Sequence, residues 1–293
     1  MKLQDRFRRD FGEWRSNLPP EWRDAFAGVE LGFDAVDPLV EIGEDERIWP
    51  QAGGGPEGAD TFKALRGLAP DAVRVVIFGN DPYTKLHQAT GCSFEQGDLE
   101  DWAVDVKDPG LISPSLQTLL CAAAATSPAH ADFDLLSRVD LDPDEGFLWK
   151  CHEELARGLI AGRILLPGPR AIFDHWSGQG VLWLNRTLTY SRWLDDHRPN
   201  HTRLWAPFTA RAIRIVLEAA HRRGTPIVFA LWGAPAQQLQ SAIEAEAAAL
   251  GLPPATVRFA RAGHPQLPDK HFRDGNPLAA VNELLEEQPI RWV

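Results

Sequence analysis

Four short apolar runs mark the chain, and helical stretches separate the later ones. The runs are Arg74–Phe78, Val181–Leu184, Ile227–Leu231 and Thr256–Ala260. Each lacks the polar alternation of a strand with one face in water, which is typical of strands buried on both faces. Helical patterns over Phe208–Arg223 and Pro235–Leu250 lie between the last three runs. This alternation predicts a single-domain α/β fold, a three-layer α/β/α arrangement around a central four-stranded, mostly parallel sheet.

The rest of the pattern divides the chain into an N-terminal extension and a domain that carries an insertion. Residues 1–60 are acidic, and we expect them to form a helical extension packed on the core. Residues 61–293 form the α/β domain, with an insertion at about 120–178 because the first two strands lie far apart in sequence. The insertion includes an acidic loop, Asp132–Gly146. The further helical stretches predicted are 5–15, 20–28, Thr61–Leu68, Pro114–Ala125 and Leu148–Ala161.

Polar residues or glycine follow each strand at the point where it ends. Asn80 and Asp81 follow the first strand, Asn185 the second, Gly233 the third and His264 the fourth. In an open parallel sheet the carboxyl ends of the strands meet at one edge, where ligands bind. Taken singly, each residue has an ordinary structural interpretation as part of a turn, a local cap or a loop. Their shared placement favours one site that combines a carboxylate, an amide and an imidazole.

The net charge argues against a protein that coats nucleic acid, but the charge is unevenly distributed. It is −11 overall, −14 over residues 1–150 and +3 over residues 151–293. The stretch Asn185–Arg223 holds eight arginines against three acidic residues. That stretch is compatible both with a local contact to a polyanion and with a solvated basic helix face.

Residue spacing argues against common metal and nucleotide sites. The three cysteines form no C-x-x-C pair, and no phosphate-binding glycine motif follows a strand. His197 and His201 have helical spacing, but Pro199 between them argues against a helical metal pair. We therefore expect no metal and no cofactor. The sequence also lacks an apolar run long enough for a membrane span and an apolar secretion segment, so we expect a cytoplasmic protein with no membrane association.

Five blocks of sequence, in order, resemble the motifs of family 1 uracil-DNA glycosylases. They are VVIFGNDPYTKLHQATGCSF (Val75–Phe94), GLISPSL (Gly110–Leu116), GVLWLNRTLT (Gly180–Thr189), VFALWGAPAQ (Val228–Gln237) and the Gly-His-Pro loop with its final helix (Gly263–Leu285). Any one block is a weak signal, but five in family order are specific. The resemblance implies a metal-free DNA repair enzyme that flips uracil out of DNA and cleaves its N-glycosidic bond.

The resemblance also implies a role for individual residues. Asp81 matches the carboxylate that orients water and stabilises the cationic sugar, and His264 matches the imidazole that stabilises the departing uracil. Asn185 would read uracil, Phe94 would stack on the flipped base, and Tyr83 would exclude the methyl group of thymine. The residues that match DNA-gripping loops are Ser113, Pro114, Ser115, Gly233, Ala234 and Gln266, and Leu267 is the nearest match to the wedge that fills the vacated stack.

Several positions depart from the family pattern. Asn80, a predicted substrate-binding residue, replaces a glutamine, Thr84 replaces a histidine, and Gln266 replaces a phosphate-contacting serine. Two alternatives therefore stay open: a glycosylase of shifted specificity, acting on 5-substituted uracil or another deaminated base, and a non-catalytic module that binds damaged DNA. The expected partner is single- or double-stranded uracil-containing DNA, bound by a monomer. The resemblance also allows a proteinaceous glycosylase inhibitor as a partner.

Overall fold

The four predicted strands form one sheet in a computed structural model that describes residues 1–108, 110–130, 150–192, 194, 196–286 and 288–293. The strands are β1 (Val75–Gly79), β2 (Val181–Asn185), β3 (Ile227–Trp232) and β4 (Val257–Ala262). Their order in the sheet is β2-β1-β3-β4, and every pair of neighbours runs parallel. The predicted fold class is therefore confirmed. Because the pairing is parallel, all four carboxyl ends lie at one edge.

Helices flank both faces of this sheet. They are α1 (Leu3–Phe11), α2 (Pro20–Arg23), α3 (Trp102–Asp105), α4 (Pro114–Ala124), α5 (Lys150–Ile160), α6 (Ala171–Ser177), α7 (His197–Arg223), α8 (Ala234–Gln237), α9 (Gln240–Ala249), α10 (Pro268–His271) and α11 (Pro277–Leu285). Short 3₁₀ turns occur at Trp14–Asn17, Asp24–Phe26, Phe33–Ala35, Lys63–Leu65, Pro70–Ala72, Pro128–His130 and Pro254–Thr256.

Three helical predictions need correction. Thr61–Leu68 is not a helix, since only its 3₁₀ turn is helical and Gly67 has a φ of 70°, which ends any continuation. The helix predicted to begin at Phe208 begins at His197 instead. Pro199 lies in its first turn, where a missing N–H breaks no helical bond, and the helix continues through Pro207 in its interior. The stretch Pro235–Leu250 is divided between α8 and α9.

The strands alternate their side chains between two apolar cores. One core contains Val76 and Phe78 of β1 with the apolar side of α7, and the other contains Val75 and Ile77 with α4 and α11. This alternation follows from the period-two geometry of a strand, and because both faces are covered every β1 residue is buried. The sheet therefore holds the residues at its carboxyl edge in fixed positions.

The N-terminal residues are part of the first core. Phe11 packs edge-on against Trp205 of α7 with ring centroids 5.4 Å apart, and Phe26 stacks on Phe208 at 4.5 Å. Trp49 and Tyr190 exchange two backbone hydrogen bonds. The N–H of Trp49 donates to the carbonyl of Tyr190 at 2.8 Å, and the N–H of Tyr190 donates to the carbonyl of Trp49 at 2.7 Å. The division of the chain at residue 60 stays a prediction.

The acidic loop Asp132–Gly146 lies outside the described residues, as does the start of the helix predicted over Leu148–Ala161. Among the described residues, no helix is both long and apolar enough to cross a membrane.

Candidate active site

The carboxyl edge of the sheet carries a cavity of about 540 Å³. Gly79 at the end of β1 is level with Asn185 at the end of β2, so the residues that follow β1 lie beside the end of β2. The predicted site residues that line the cavity are Asn80, Asp81, Tyr83, Phe94, Ser113, Pro114, Ser115, Asn185, His264 and Gln266. Residues far apart in sequence thus share one cavity because parallel strands deliver them to the same edge.

Asp81 is the carboxylate of the cavity, and its side chain is 11% exposed. Its Oδ2 atom lies 2.5 Å from Nη2 of Arg198, and Nδ2 of Asn80 donates a hydrogen bond of 2.8 Å to the same oxygen. Burial raises the pKa of Asp81, while the charges of Arg198 and Arg186 and the hydrogen bond from Asn80 act in the opposite direction. The carboxylate is therefore desolvated, with cations on one side.

His264 follows β4 and lies on the same cavity. The backbone N–H of Gln266 donates to its Nδ1 atom at 3.1 Å, which assigns the ring proton to Nε2. Burial lowers the pKa of His264, so its imidazole is neutral near pH 7. A Cβ atom on Gly233 would lie 3.0 Å from the Cβ of His264, and Gly233 has a φ of 83°. Glycine at 233 therefore allows the turn after β3 to pass close to this ring.

Asn185 is 2% exposed at the end of β2. Among the described residues, no hydrogen bond reaches its side-chain amide, although the side chain lines the cavity. A Cβ atom on Gly79 would lie 2.3 Å from Oδ1 of Asn185, so only glycine at 79 leaves the amide in place. The amide therefore offers an unused donor and an unused acceptor to a ligand.

Two aromatic residues complete the lining. Phe94 has a φ of 63°, a conformation that costs a bulky residue on the order of 1–3 kcal/mol and is found at functional sites. Its ring centroid lies 6.2 Å from that of His264. The hydroxyl of Tyr83 donates to the carbonyl of Phe94 at 3.0 Å and lies 2.7 Å from Oγ of Ser113. Burial raises the pKa of Tyr83, so the phenol stays protonated.

The predicted DNA-gripping residues fall into two groups. Ser113, Pro114, Ser115 and Gln266 line the cavity, and Ser113 caps α4 by accepting from the N–H of Leu116. Gly233, Ala234 and Leu267 lie outside the lining. The side chain of Leu267 is 39% exposed just before α10, which is an unusual exposure for leucine.

The motifs did not reveal two lining residues, Arg198 and Tyr190. Tyr190 follows β2 by five positions, and Arg198 lies in the first turn of α7. The only sequence signal for Arg198 was its place in the basic stretch Asn185–Arg223. Most arginines of that stretch contact other protein groups, namely Arg192 with Glu46, Arg203 with Asn200, Arg211 with Ala25, Arg214 with Glu218, Arg222 with Asp71 and Arg223 with Val73. Of the eight, all within the described ranges, Arg198 alone lines the cavity.

His197 and His201 do share a helix, so the reason given against a metal pair, the proline between them, is wrong. Both rings lie in a buried cluster, here called the hydroxyl–imidazole cluster, that consists of Thr189, Ser191, His197 and His201. Ser191 Oγ lies 2.9 Å from Nδ1 of His197 and 2.9 Å from Nε2 of His201, and Thr189 Oγ1 lies 2.8 Å from Nδ1 of His201. Within the described ranges, no group of three or more His, Cys, Asp or Glu is placed to hold a metal ion.

Known proteins of similar sequence carry the name uracil-DNA glycosylase. The uracil-DNA glycosylase of Bordetella petrii is 30% identical over 288 residues, covering 95% of this chain and 88% of the relative. Uracil-DNA glycosylase 2 of Streptomyces coelicolor is 28% identical over 281 residues, covering 94% and 95%. The chain therefore belongs to the uracil-DNA glycosylase family. No family model matches it.

Solved structures share the fold. The UNG from Nitratifractor salsuginis aligns with a TM-score of 0.53 at 19% identity, covering 88% of this chain and 89% of that one. A variant of mimivirus UNG in complex with UGI aligns with a TM-score of 0.54 at 20% identity, covering 94% and 88%.

Proposed function

We propose that the chain removes uracil from DNA by hydrolysing its N-glycosidic bond, which leaves an abasic site. Membership of the uracil-DNA glycosylase family supports this reaction. The observation that carries the proposal is the unpartnered amide of Asn185, buried in the cavity that also holds Asp81 and His264. A buried amide without a protein partner is costly unless a ligand completes its hydrogen bonds.

The chemistry needs opposite charges to be stabilised a short distance apart. Cleavage builds positive charge on the sugar and negative charge on the departing uracil. The Asp81 carboxylate stabilises the sugar and orients water, while Nε2–H of His264 donates to the uracil oxygen O2. A neutral imidazole suits this role because it donates without requiring a second buried charge, which agrees with the lowered pKa of His264.

The remaining lining residues select the base. The amide of Asn185 would accept from N3–H and donate to O4 of uracil, and the amino group of cytosine would mispair with it. Phe94 would stack on the flipped base, and Tyr83 would occupy the space next to C5 that the methyl group of thymine needs. Asn80 acts through its hydrogen bond to Asp81.

The DNA contacts are assigned by the same proposal. Ser113, Pro114, Ser115 and Gln266 would hold the backbone of the flipped nucleotide at the cavity. The Gly233–Ala234 turn would contact phosphate nearby, and the exposed Leu267 would fill the space that the base vacates. We propose a monomer in the cytoplasm that acts on single- or double-stranded DNA. A UGI-like protein would bind over the same surface.

An excision assay tests the proposal. Wild-type protein is incubated with single- and double-stranded oligonucleotides that carry uracil, thymine or 5-hydroxymethyluracil, and alkali-labile abasic sites are scored. We expect excision of uracil, and a loss of roughly 10²–10⁴-fold in Asp81→Asn because the carboxylate acts in the transition state. Asp45→Asn is the matched control, since Asp45 is exposed and remote from the cavity lining.

Two other outcomes of this assay would each indicate a different class of protein. Preferential release of 5-hydroxymethyluracil would replace the proposal with a glycosylase of shifted specificity. Binding of uracil-containing DNA without cleavage, at high protein concentration, would indicate a non-catalytic module.

A further inference from the structure

The cavity contains an ion pair between Arg198 and Asp81 that the glycosylase motifs do not include. Nη2 of Arg198 lies 2.5 Å from Oδ2 of Asp81, and Nδ2 of Asn80 donates to that same Oδ2 at 2.8 Å. Among the described residues, no hydrogen bond reaches Oδ1 of Asp81. One carboxylate oxygen is thus held from two sides, while the other has no hydrogen bond from a described residue.

Two contacts on one oxygen restrict how the carboxylate turns about its Cβ–Cγ bond. Terminal torsions of aspartate are broad and two-fold, so an unrestrained carboxylate exchanges its oxygens freely. A contact to a guanidinium is charge-assisted and stronger than one to a neutral amide. Arg198 is therefore the stronger of the two restraints.

The first turn of α7 is itself held in place, which fixes the backbone that carries Arg198. The neighbouring His197 is fully buried, with Nδ1 2.9 Å from Oγ of Ser191 and Nε2 2.9 Å from the carbonyl oxygen of Glu41. Pro199 follows directly and limits the backbone torsions on the other side. The Arg198 side chain is 43% exposed, so its guanidinium lies at the cavity and not in the core.

Among the described residues, Arg198, Arg186 and Tyr190 interact electrostatically with Asp81, and His264 lines the same cavity. Arg198 and Arg186 favour the ionised carboxylate. Burial and the nearby Asp81 charge raise the pKa of Tyr190, which is therefore neutral. His264 lies across the cavity and is also neutral near pH 7. The two arginines are thus the cations that offset the desolvation of Asp81.

We propose that Arg198 is a positioning residue for the reaction: it clamps Oδ2 of Asp81, with Asn80, so that Oδ1 receives the hydrogen of the attacking water. This inference rests on the proposed function, because it assigns the water to Asp81. In the reaction, the water oxygen bonds to C1′ of the sugar as the bond from C1′ to uracil N1 breaks. The electron pair leaves with uracil, and Asp81 takes the proton of the water.

The experiment measures single-turnover excision and KM against pH for Arg198→Gln, Arg198→Lys and Arg192→Gln. Arg192 is a matched control, since its Nη1 also lies 2.5 Å from a carboxylate and its side chain is 44% exposed, yet it does not line the cavity. We expect Arg198→Gln to lower the excision rate roughly 10- to 100-fold, as misplacement of a reacting group does, with KM within about threefold.

The pH profile of the excision rate distinguishes a positioning role of Arg198 toward Asp81 from a purely structural contact. Removing the cation removes an influence that lowers the pKa of Asp81, so the acid limb of the rate profile should move to higher pH in Arg198→Gln. Arg198→Lys keeps the charge but offers a single flexible ammonium in place of the planar fork, so we expect an unmoved acid limb and an intermediate rate. Arg192→Gln should match the wild type in both.

Two results would overturn the inference while leaving the proposed function intact. If Arg198→Gln raised KM alone, with an unchanged rate and acid limb, Arg198 would be a phosphate contact. If Arg198→Gln does not fold, Arg198→Lys decides, and a wild-type rate and acid limb in that variant would show that the guanidinium geometry is not used. Absence of uracil excision by the wild type would instead refute the proposed function.

Discussion

The active-site cavity and the hydroxyl–imidazole cluster both contain desolvated imidazoles, yet only one of them is arranged for chemistry. Burial lowers the pKa of His264 in the cavity and lowers that of His201 in the cluster to about 3. In the cluster both ring nitrogens of His201 lie within 2.9 Å of a hydroxyl oxygen. In the cavity the Nδ1 atom of His264 is partnered, and no described residue hydrogen-bonds its Nε2 atom.

The difference shows that burial and a shifted pKa do not by themselves identify a functional histidine. Structural networks also perturb pKa values, so the discriminating feature is an unpartnered polar atom that faces a cavity. Asn185 satisfies the same criterion, while every ring nitrogen of the cluster fails it. Substitutions in the cavity should therefore affect activity, and substitutions in the cluster should affect stability.

Of the substitutions that test this comparison, His264→Ala should have the largest effect. Replacing this residue with alanine removes the donor to the departing base, so we expect uracil excision to fall roughly 10²–10³-fold. The exposed His221→Ala in α7 is the control and should retain wild-type excision. Excision is measured as abasic sites per minute, with thermal denaturation recorded in parallel. A His264→Ala protein that excises normally would remove His264 from the mechanism.

A smaller effect is expected from a residue that touches no ligand. Gly79→Ala places a Cβ atom 2.3 Å from Oδ1 of Asn185 and 2.7 Å from Cβ of Ser93, so both side chains must shift and excision should fall by about 10²-fold. Gly168→Ala is the control, because nothing lies within 4 Å of the added atom and its φ is not positive.

A double variant sharpens this test. If Gly79→Ala acts through the amide, it should reduce excision far less when Asn185 is already alanine. An equal loss in both backgrounds would show that Gly79→Ala acts through Ser93 and not through the amide of Asn185.

The smallest expected effect is a loss of stability at low pH, which comes from His201 in the hydroxyl–imidazole cluster. The folded-state pKa of His201 is about 3 and its unfolded value is near 6.5, so the unfolded chain binds the extra proton in this window. Above pH 6.5 the neutral His201 is buried without loss of stability. Below pH 6.5 the free energy of unfolding decreases by about 1.4 kcal/mol per pH unit. Urea unfolding at pH 7.5 and pH 5.5 measures this loss.

The variant His201→Gln should show a shallower decrease between those two pH values, and His221→Gln should decrease as the wild type does. His201→Gln should keep its excision rate per folded molecule. A decrease of wild-type steepness in His201→Gln would show that other groups account for the acid sensitivity.

The sequence predicted the sheet well and the helices less well, for a physical reason. Strands buried on both faces appear as uninterrupted apolar runs, so β1 to β4 were found to within one or two residues. The start of α7 was missed because the predicted helix began at Phe208, directly after Pro207, whereas the helix begins at His197 and continues through Pro207 in its interior. The prediction of a helix over Thr61–Leu68 was wrong, because the pattern of a short segment does not distinguish a helix from irregular chain that packs on the core.

The residues of the active site also divide into those that the sequence predicted and those that it did not. Asn185 ends β2, and Asp81 and His264 lie two positions after β1 and β4, so topology alone places them together. Arg198 lies 13 positions after the end of β2, and it reaches Asp81 only because α7 begins close to the cavity. No local pattern encodes that approach. The motifs therefore predicted the groups that would meet the base, but not the cation beside the carboxylate.

The packing of α1 against α7 also imposes an order on how the protein is made. Phe7 and Phe11 contact His201 and Trp205, with ring centroids 4.8 and 5.4 Å apart, although almost two hundred residues separate them in sequence. At about 5–20 residues per second, the ribosome needs roughly 10 to 40 s to supply those partners. During that interval the N-terminal aromatic residues lack the surface that finally covers them, so α1 cannot complete its packing until α7 emerges.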